Sequence, residues 1–297
     1  MTNIRLPSVS VVITGFNSAD TIRRAVDSVR VQTFTDFEIV FVDDASTDNT
    51  VNVVEAMDEP RLRIVRNLEN RGIGGAKNAG VDVARGQFIA FLDSDDTWEP
   101  QKLALQFERL QKNSAGRPLS FTSYWVHRAG TDRGLPRQPR LYGSWLKSVL
   151  SGEHLCLGST FFGARSLFET VGPFDESLRR RQDGDWILRY FEQWDDILFL
   201  DEPLAHIFNT GFPRPDLVER SANNLYEKHA VALRTRDTAL AQLFRSSLNF
   251  EIAVSEFRSG QRAAAGKRMF DTLATNPAFA SYLARRIGRK LIQGDPT

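Results

Sequence analysis

Three carboxylates fall within four positions at Asp93-Ser94-Asp95-Asp96, directly behind the unbroken apolar run Phe88–Leu92. Carboxylates this close repel one another, and stability alone would not gather them. A bound divalent cation resolves the conflict, because hard ions take oxygen ligands. Asp93 and Asp95, two residues apart, can face the same side of an extended backbone. The plainer alternative is a solvated acidic turn that caps a helix starting near Glu99. A second acidic pair, Asp43-Asp44, ends the apolar run Phe37–Val42. Asp183 and Asp185 flank Gly184 ahead of Trp186 and Ile187. Asp185 is the better placed of the two to cap the following helix.

The elements that must position these groups alternate. Val9–Ile13, Phe37–Val42, Leu62–Val65 and the Phe88 run read as strands buried on both faces. Helices follow each: one through Ile22, Ala25, Val26 and Val29, one through Val51, Val54 and Met57, one from about Ala76 to Ala84, and one from about Glu99 to Lys112. Ser18 or Asp20 is a candidate cap for the first. Gly72–Gly75 reads as a glycine-rich loop, and Gly86 suits a left-handed helix cap. Four strand–helix alternations predict an α/β fold, a mostly parallel Rossmann-like sheet with helices on both faces. Polar residues at the strand ends, Thr14 and Asn17, Asp43 and Asp44, Asn67 and Asn70, Asp93 and Asp95, then share the edge where such sheets bind ligands.

The second half is less regular. Leu119–Val126, Leu157–Phe162 and Ile197–Leu200 read as strands, Pro136–Arg140 as a loop suited to a lid, and Asp185–Trp194 as a helix. His206 falls in a loop and reads as a structural histidine. Among the tryptophans, Trp186 is the candidate for stacking on a ligand. From about residue 217 helical patterns take over, over 217–234, 236–259, 262–275 and 277–292, broken at Gly260 and Asn276-Pro277. Arg285, Arg286, Arg289 and Lys290 make the last helix basic. They read as a solvated face, with a membrane-surface patch as the sharper alternative.

With 297 residues, 41% apolar and 25% charged, the chain has the composition of a globular protein with a sizeable core. A formal net charge of +1 gives no reason to expect nucleic-acid binding. One cysteine, Cys156, excludes an internal disulfide. The absence of a signal-peptide pattern and of any membrane-length apolar run makes a cytoplasmic location the expectation.

Four blocks, Val9–Asn17, Val42–Thr50, Asn70–Gly80 and Phe91–Asp96, together resemble the family 2 glycosyltransferases of the GT-A fold, in the family's order over roughly residues 7–112. The Asp175–Arg189 region resembles the family's second half. The resemblance implies a GT-A catalytic domain over 1–216, with a nucleotide-binding half to about 112 and an acceptor half from about 113, followed by an all-helical extension over 217–297. It implies a nucleotide-diphosphate-sugar donor and a saccharide or lipid-linked acceptor, plausibly in surface-polysaccharide synthesis. Thr14, Phe16, Asn17, Asp43, Asp44, Lys77, Asp93 and Ser94 would hold the nucleotide. Asp93 and Asp95 would hold Mn²⁺ or Mg²⁺, and Asp183 would be the general base of an inverting transfer. Lys77 stands where the family usually has Arg, and Gln182 where Glu is commoner. A nucleotidyltransferase making activated sugars and a non-catalytic nucleotide-sugar-binding protein are the alternatives. Contact with the inner face of a membrane and homodimerisation through the helical tail stay open.

Overall fold

The computed structural model describes residues 6–113, 118–128, 134–209, 211 and 213–284. The chain divides into two compact units, one of residues 1–139 with 155–210 and one of residues 140–154 with 211–297. Four parallel-type strands open the first unit: β1 (Val9–Gly15), β2 (Phe37–Asp43), β3 (Leu62–Arg66) and β4 (Phe88–Asp93). Each of their connections carries a helix: α1 (Ile22–Arg30), α2 (Thr50–Glu55) and α3 (Gly72–Val83). β5 (Thr97–Trp98) and α4 (Lys102–Gln111) follow. The second half adds β6 (Leu119–Arg128), β7 (Leu135–Arg137), β8 (Phe162–Ala164), α6 (Leu167–Thr170), α7 (Gln182–Tyr190) and β9 (Leu198–Asn209), with α5 (Trp145–Leu150) belonging to the other unit.

Among the described residues the strands form one sheet in the order β3-β2-β1-β4-β8-β6-β9-β5, with β7 beside β6. β3, β2, β1 and β4 run parallel. β8 is antiparallel to β4 and to β6, and β9 is parallel to β6. Every residue of β1 and β2 is buried, as an apolar run covered on both faces requires. The order of strands reverses between β1 and β4, which makes their C-terminal ends the switch point where open α/β sheets take ligands. The register seats Thr14 between Val42 and Asp93, and Gly15 beside Asp43.

Several local expectations change. Gly72–Gly75 is the first turn of α3, not a loop. Gly86 is not a left-handed cap; a Cβ there would lie 2.5 Å from the Ser10 backbone nitrogen, so close packing on β1 demands the glycine. Neither Ser18 nor Asp20 caps α1. Thr21 holds that position without a side-chain bond, and the Ser18 carbonyl accepts from the Thr21 and Ile22 N–H groups. Residues 157–161 are turn rather than strand, and Leu135–Arg137 pairs with β6 instead of forming a lid. β9 runs on through Pro203 to Asn209. The β6–β9 register shifts between Thr122 and Tyr124, where Ser123 faces Pro203, and such an irregularity tolerates a residue that cannot donate.

The second unit is helical: α5, α8 (Pro215–Arg236), α9 (Thr238–Arg258) and α10 (Arg262–Thr275), with residues 279–284 also helical. Asp237 ends α8 and caps α9, its carboxylate accepting from the Ala239 N–H at 2.8 Å. Gly260, at φ +83°, breaks α9 from α10. Among the described residues no helix is long and apolar enough to cross a membrane. Arg285, Arg286, Arg289 and Lys290 lie outside the described residues.

α3 sits closer to the sheet than an ordinary helix. A Cβ on Gly80 would lie 2.3 Å from Val12 Cγ1 and 3.2 Å from Val42 Cγ2. Gly80→Ala therefore overpacks this contact and lowers stability by about 1–3 kcal/mol. Chemical denaturation should show a lower midpoint; an unchanged midpoint would mean that α3 is free to move outward.

Candidate active site

The ends of β1, β2 and β4 bring Thr14, Asp43 and Asp93 side by side at the switch point. Asp43 is 4% exposed; its Oδ2 accepts from the Ser46 N–H at 3.2 Å, and its Oδ1 is buried with no hydrogen-bond partner. Asp44, one residue on, points elsewhere. Its Oδ1 accepts from the Arg71 N–H at 2.9 Å and from Asn67 Nδ2 at 2.8 Å, and its Oδ2 from the Gly72 N–H at 2.8 Å. Asp44 is thus spent on the start of α3, where orphan N–H groups and the helix dipole favour a carboxylate.

The Thr14–Ser18 loop is braced against the loop after β2. Asn17, in the left-handed region at φ +51°, donates its N–H to Ser46 Oγ at 2.9 Å and accepts the Thr47 N–H on Oδ1 at 2.8 Å. The Ser18 and Ser94 hydroxyls share a hydrogen bond at 2.7 Å, which ties this loop to the acid cluster. Asn17 and Ser94 thereby shape the edge, while Phe16 stands 48% exposed on the same loop.

α3 delivers Lys77. It is 2% exposed, with Nζ 3.4 Å from Asp93 Oδ1 and near the Phe91 and Phe174 rings. Asp93 Oδ1 is buried and makes no hydrogen bond, so Lys77 meets it as a charge alone. Asp93 Oδ2 rests against Gly158, where a Cβ would come within 2.0 Å. Burial and the neighbouring Asp93 charge push the Asp95 carboxyl above its ordinary range. Burial, with Asp93 next, pushes Asp96 well above it. Asp96 is structural: it accepts from Ser159 Oγ at 2.6 Å and from the Phe208 N–H at 3.0 Å.

The expectation of Asp185 as a helix cap does not hold. Arg181, at φ +65°, precedes the first residue of α7, and Asp183 and Asp185 both lie in the first turn. Asp185 is fully buried and paired with Arg189 at 3.0 Å. Asp183 is half-buried, with Oδ1 accepting the adjacent Gly184 N–H at 2.8 Å. α3 holds this region in place. Asn78 exchanges hydrogen bonds with the Phe174 backbone, both at 2.9 Å, and Arg71 grips Glu176 with two nitrogens at 3.1 and 2.6 Å. Cys156 is a half-buried free thiol. Burial raises its pKa well above the usual thiol range, the carboxylates of Asp96, Asp93 and Asp183 add to the rise, and Lys77 opposes it.

Two aromatic and histidine expectations are corrected. Trp186 is wholly buried, donating to the Gly172 carbonyl at 3.0 Å within a ring cluster, and cannot stack on a sugar. His206 lies on β9, not in a loop, between Glu99 at 2.8 Å and His127 at 2.9 Å. The turn Cys156–Thr160 escaped the sequence reading. Gly158 and Ser159 back both Asp93 and Asp96 from there, and only the turn itself marks them.

The edge therefore sets the carboxylates of Asp43, Asp93, Asp95, Asp96 and Asp183 against the buried Lys77 ammonium and the Arg24 guanidinium, which donates to the Asp95 carbonyl. Its charge calls for a cation, and all the exposed or unpartnered donors are hard oxygens. Among the described residues no cluster of three or more His, Cys, Asp or Glu side chains could hold a metal by itself. Asp93 and Asp95 suit an ion that keeps water and substrate phosphates as its other ligands, as Mg²⁺ does. Asp44→Ala should cost about 1–2 kcal/mol as a lost cap, and more if the buried N–H groups of Arg71 and Gly72 find no water. A thermal midpoint equal to that of the wild type would remove Asp44 from this role.

Comparison with known proteins agrees with this geometry. The family model described as Glycosyl transferase family 2 matches residues 10–172. The succinoglycan biosynthesis protein ExoO of Rhizobium meliloti (strain 1021) is 48% identical over 190 residues, 60% of this chain and 54% of that protein. WfaP of Escherichia coli, a UDP-Glc:alpha-D-GlcNAc-diphosphoundecaprenol beta-1,3-glucosyltransferase, is 33% identical over 141 residues, 47% of this chain and 55% of that one. The chain thus spans about half the length of these curated relatives. In fold it is similar to S. aureus TarS 1-349 in complex with UDP-GlcNAc, with TM-score 0.68, 20% identity and coverage of 94% of this chain and 82% of that one. The mannosyltransferase PcManGT from Pyrobaculum calidifontis, in complex with GDP-Man and Mn²⁺, gives TM-score 0.60, 20% identity and coverage of 97% and 81%.

Proposed function

The chain belongs to the glycosyl transferase family 2, and we propose that it is a metal-dependent, inverting glycosyltransferase that moves a sugar from a nucleoside-diphosphate donor to a saccharide or lipid-linked acceptor in polysaccharide synthesis. The observation that carries this reading is the pair of carboxylates at the ends of β2 and β4, on either side of β1: Asp43, whose Oδ1 has no hydrogen-bond partner, and Asp93, whose Oδ1 meets only the Lys77 ammonium. Asp43 Oδ1 is an acceptor waiting for the N–H of a base or a ribose hydroxyl. Asp93 Oδ1, with Asp95, is an oxygen donor for the cation that a diphosphate needs.

A divalent ion such as Mn²⁺ or Mg²⁺ held by Asp93 and Asp95 would supply, when bound, the positive charge that offsets a departing diphosphate. The chain's own residues do the rest. The Thr14–Ser18 loop, with its exposed Phe16, borders the nucleotide. Lys77 holds the Asp93 carboxylate by charge and is itself kept in place by burial on α3. Asp183 accepts the proton of the acceptor hydroxyl as that oxygen attacks the anomeric carbon from the side opposite the leaving diphosphate. One base suffices for such an inversion, and Asp185, committed to Arg189, is not available as a second. WfaP, which acts on a diphosphoundecaprenol-linked GlcNAc, supports a lipid-linked acceptor, and ExoO, a succinoglycan biosynthesis protein, supports a polysaccharide product.

Two variants separate the roles. Asp183→Asn should lower kcat by orders of magnitude, about 10²–10⁴-fold, with donor affinity nearly unchanged, as when only a transition-state interaction is lost. Asp95→Asn should abolish the Mn²⁺-dependent part of nucleoside-diphosphate binding in calorimetry while the protein stays folded. Donor binding that ignores Mn²⁺ in the wild type, or an Asp183→Asn enzyme that turns over normally, would overturn the assignment.

A further inference from the structure

A group of buried polar residues beside the acid cluster has no part in the chemistry above. Its centre is the turn of residues 155–160, in which Ser159 and Thr160 are wholly buried. Antiparallel pairing of β4 with β8 stops where Ala90 faces Phe162. Past that point the chain leading into β8 is a turn, and no β8 residue faces Asp93. The Asp93 N–H donates instead to Ser159 Oγ at 3.1 Å. The Ser159 hydroxyl gives its own proton to Asp96 Oδ2 at 2.6 Å. A hydroxyl has one proton and two lone pairs, so this direction leaves it free to accept from Asp93. One side chain thus fixes the main chain of Asp93 and the carboxylate of Asp96 together.

Gly158 limits where the Asp93 side chain can lie. A Cβ on Gly158 would stand 2.0 Å from Asp93 Oδ2, 2.7 Å from Cγ and 3.0 Å from Oδ1, and no heavy atom outside that carboxylate would lie closer. Gly158 is not among the glycines with positive φ, so its backbone torsion does not call for glycine. What calls for it is room for one carboxylate. Lys77 Nζ, 3.4 Å from Oδ1, meets the same group.

The turn is fastened by β5 and α4. The Ser159 carbonyl accepts from Trp98 Nε1 at 2.7 Å, and the Thr160 carbonyl from Gln106 Nε2 at 3.0 Å. Gln106 Oε1 accepts from Lys102 Nζ at 2.6 Å, which orients the amide with its nitrogen toward the turn. Lys102 is fully buried, over the Trp98 ring at 4.1 Å, and burial pushes its pKa well below the ordinary lysine range. It acts there as a hydrogen-bond donor and not as the partner of an acid.

We propose that Gly158 and Ser159 are positioning residues for Asp93: the bare Cα of one and the hydroxyl of the other hold its carboxylate in a single rotamer before a divalent ion arrives. The inference rests on the transferase reading, in which Asp93 and Asp95 hold that ion, and adds the residues that make Asp93 ready for it. A carboxylate free to rotate would offer the ion its binding geometry only part of the time, and apparent affinity falls by that fraction.

The test uses the full chain, with Mn²⁺, UDP and GDP as probes. Mn²⁺ binding is read by electron paramagnetic resonance, and nucleoside-diphosphate binding by calorimetry with and without Mn²⁺. Gly158→Ala removes no hydrogen bond, and its methyl fits only if the Asp93 carboxylate swings aside. It should weaken Mn²⁺ binding and the Mn²⁺-dependent part of nucleotide binding about 10–100-fold, as changes behind a metal ligand do. Metal-free nucleotide binding should stay at the wild-type level, a split that a general loss of structure would not give. Ser159→Ala should act in the same direction with a lower thermal midpoint, and Gly158→Ala covers the case in which that variant fails to fold. In an Asp93→Ala background the space is empty, and Gly158→Ala should change neither kind of binding. Undiminished Mn²⁺ affinity in Gly158→Ala, an equal loss of metal-free binding, or a further loss in the Asp93→Ala background would overturn this proposal alone. Wild-type nucleotide binding that ignores Mn²⁺ would overturn the metal reading and this proposal together.

Discussion

The carboxylate of Asp44 fastens the end of β2 to the beginning of α3, and the active edge is assembled through that attachment. A helix beginning Gly-Ile-Gly-Gly has little intrinsic reason to start there. Capture of the Arg71 and Gly72 N–H groups by a buried carboxylate from a distant strand supplies the reason. Once started, α3 runs so close over β1 and β2 that glycine and alanine are needed beneath it, and its Lys77 and Asn78 are buried. Lys77 faces the cluster after β4, and Asn78 and Arg71 hold the Phe174–Glu176 segment that leads to α7. One helix thus joins the carboxylates after β4 to the segment that leads to Asp183.

The second constraint is electrostatic. Close carboxylates with raised proton affinity mark a site that is under-compensated by the protein alone. Asp96 shows how the fold tolerates this. It is buried deepest of the three, and it is neutralised in effect by donors, a serine hydroxyl and a strand N–H, that lock the Ser159 turn and β9 behind the cluster. Asp93 meets only the Lys77 ammonium, at 3.4 Å and without a hydrogen bond, and the charge of Arg24 only partly offsets the burial of Asp95. The three neighbours in sequence therefore divide into one that builds the wall and two that present oxygens to whatever enters.

Much of this was legible in the sequence, and the failures have identifiable causes. Buried strands announce themselves as unbroken apolar runs, so β1, β2 and β4 and the polar residues at their ends could be placed directly. The start of α3 could not, because its cap lies on another strand, and glycines read locally signal a loop. Asn17 and Ser94 carry polar side chains that the sequence assigns to the nucleotide, and only the fold shows them bonded to Thr47 and Ser18. Asp185 looked like a cap because it precedes an apolar face. The left-handed Arg181 moves the helix start forward and turns Asp185 into a buried ion-pair partner. Residues 157–161 are apolar enough to suggest a strand, yet Thr160 bonds back to the Leu155 and Cys156 carbonyls and closes a turn. The apolar run of β9 ends at Leu200, and neither its continuation through Pro203 nor the register shift opposite Ser123 has a signature in composition.

The helical unit is discontinuous, with residues 140–154 separated from 211–297 by the last third of the sheet unit. During synthesis α5 emerges long before the helices that complete its unit. Its Trp145, Leu146 and Leu150, all buried in the finished protein, must wait for about sixty further residues, and then for α9, before they are covered. The sheet unit, by contrast, has every strand in hand once β9 has left the ribosome. Assembly is thereby ordered in time: the sheet can close around a looped-out α5, and the helical unit can finish only afterwards. A nascent chain stalled near residue 210 would carry a formed sheet edge and one exposed apolar helix, a species recognisable to a chaperone by that helix alone.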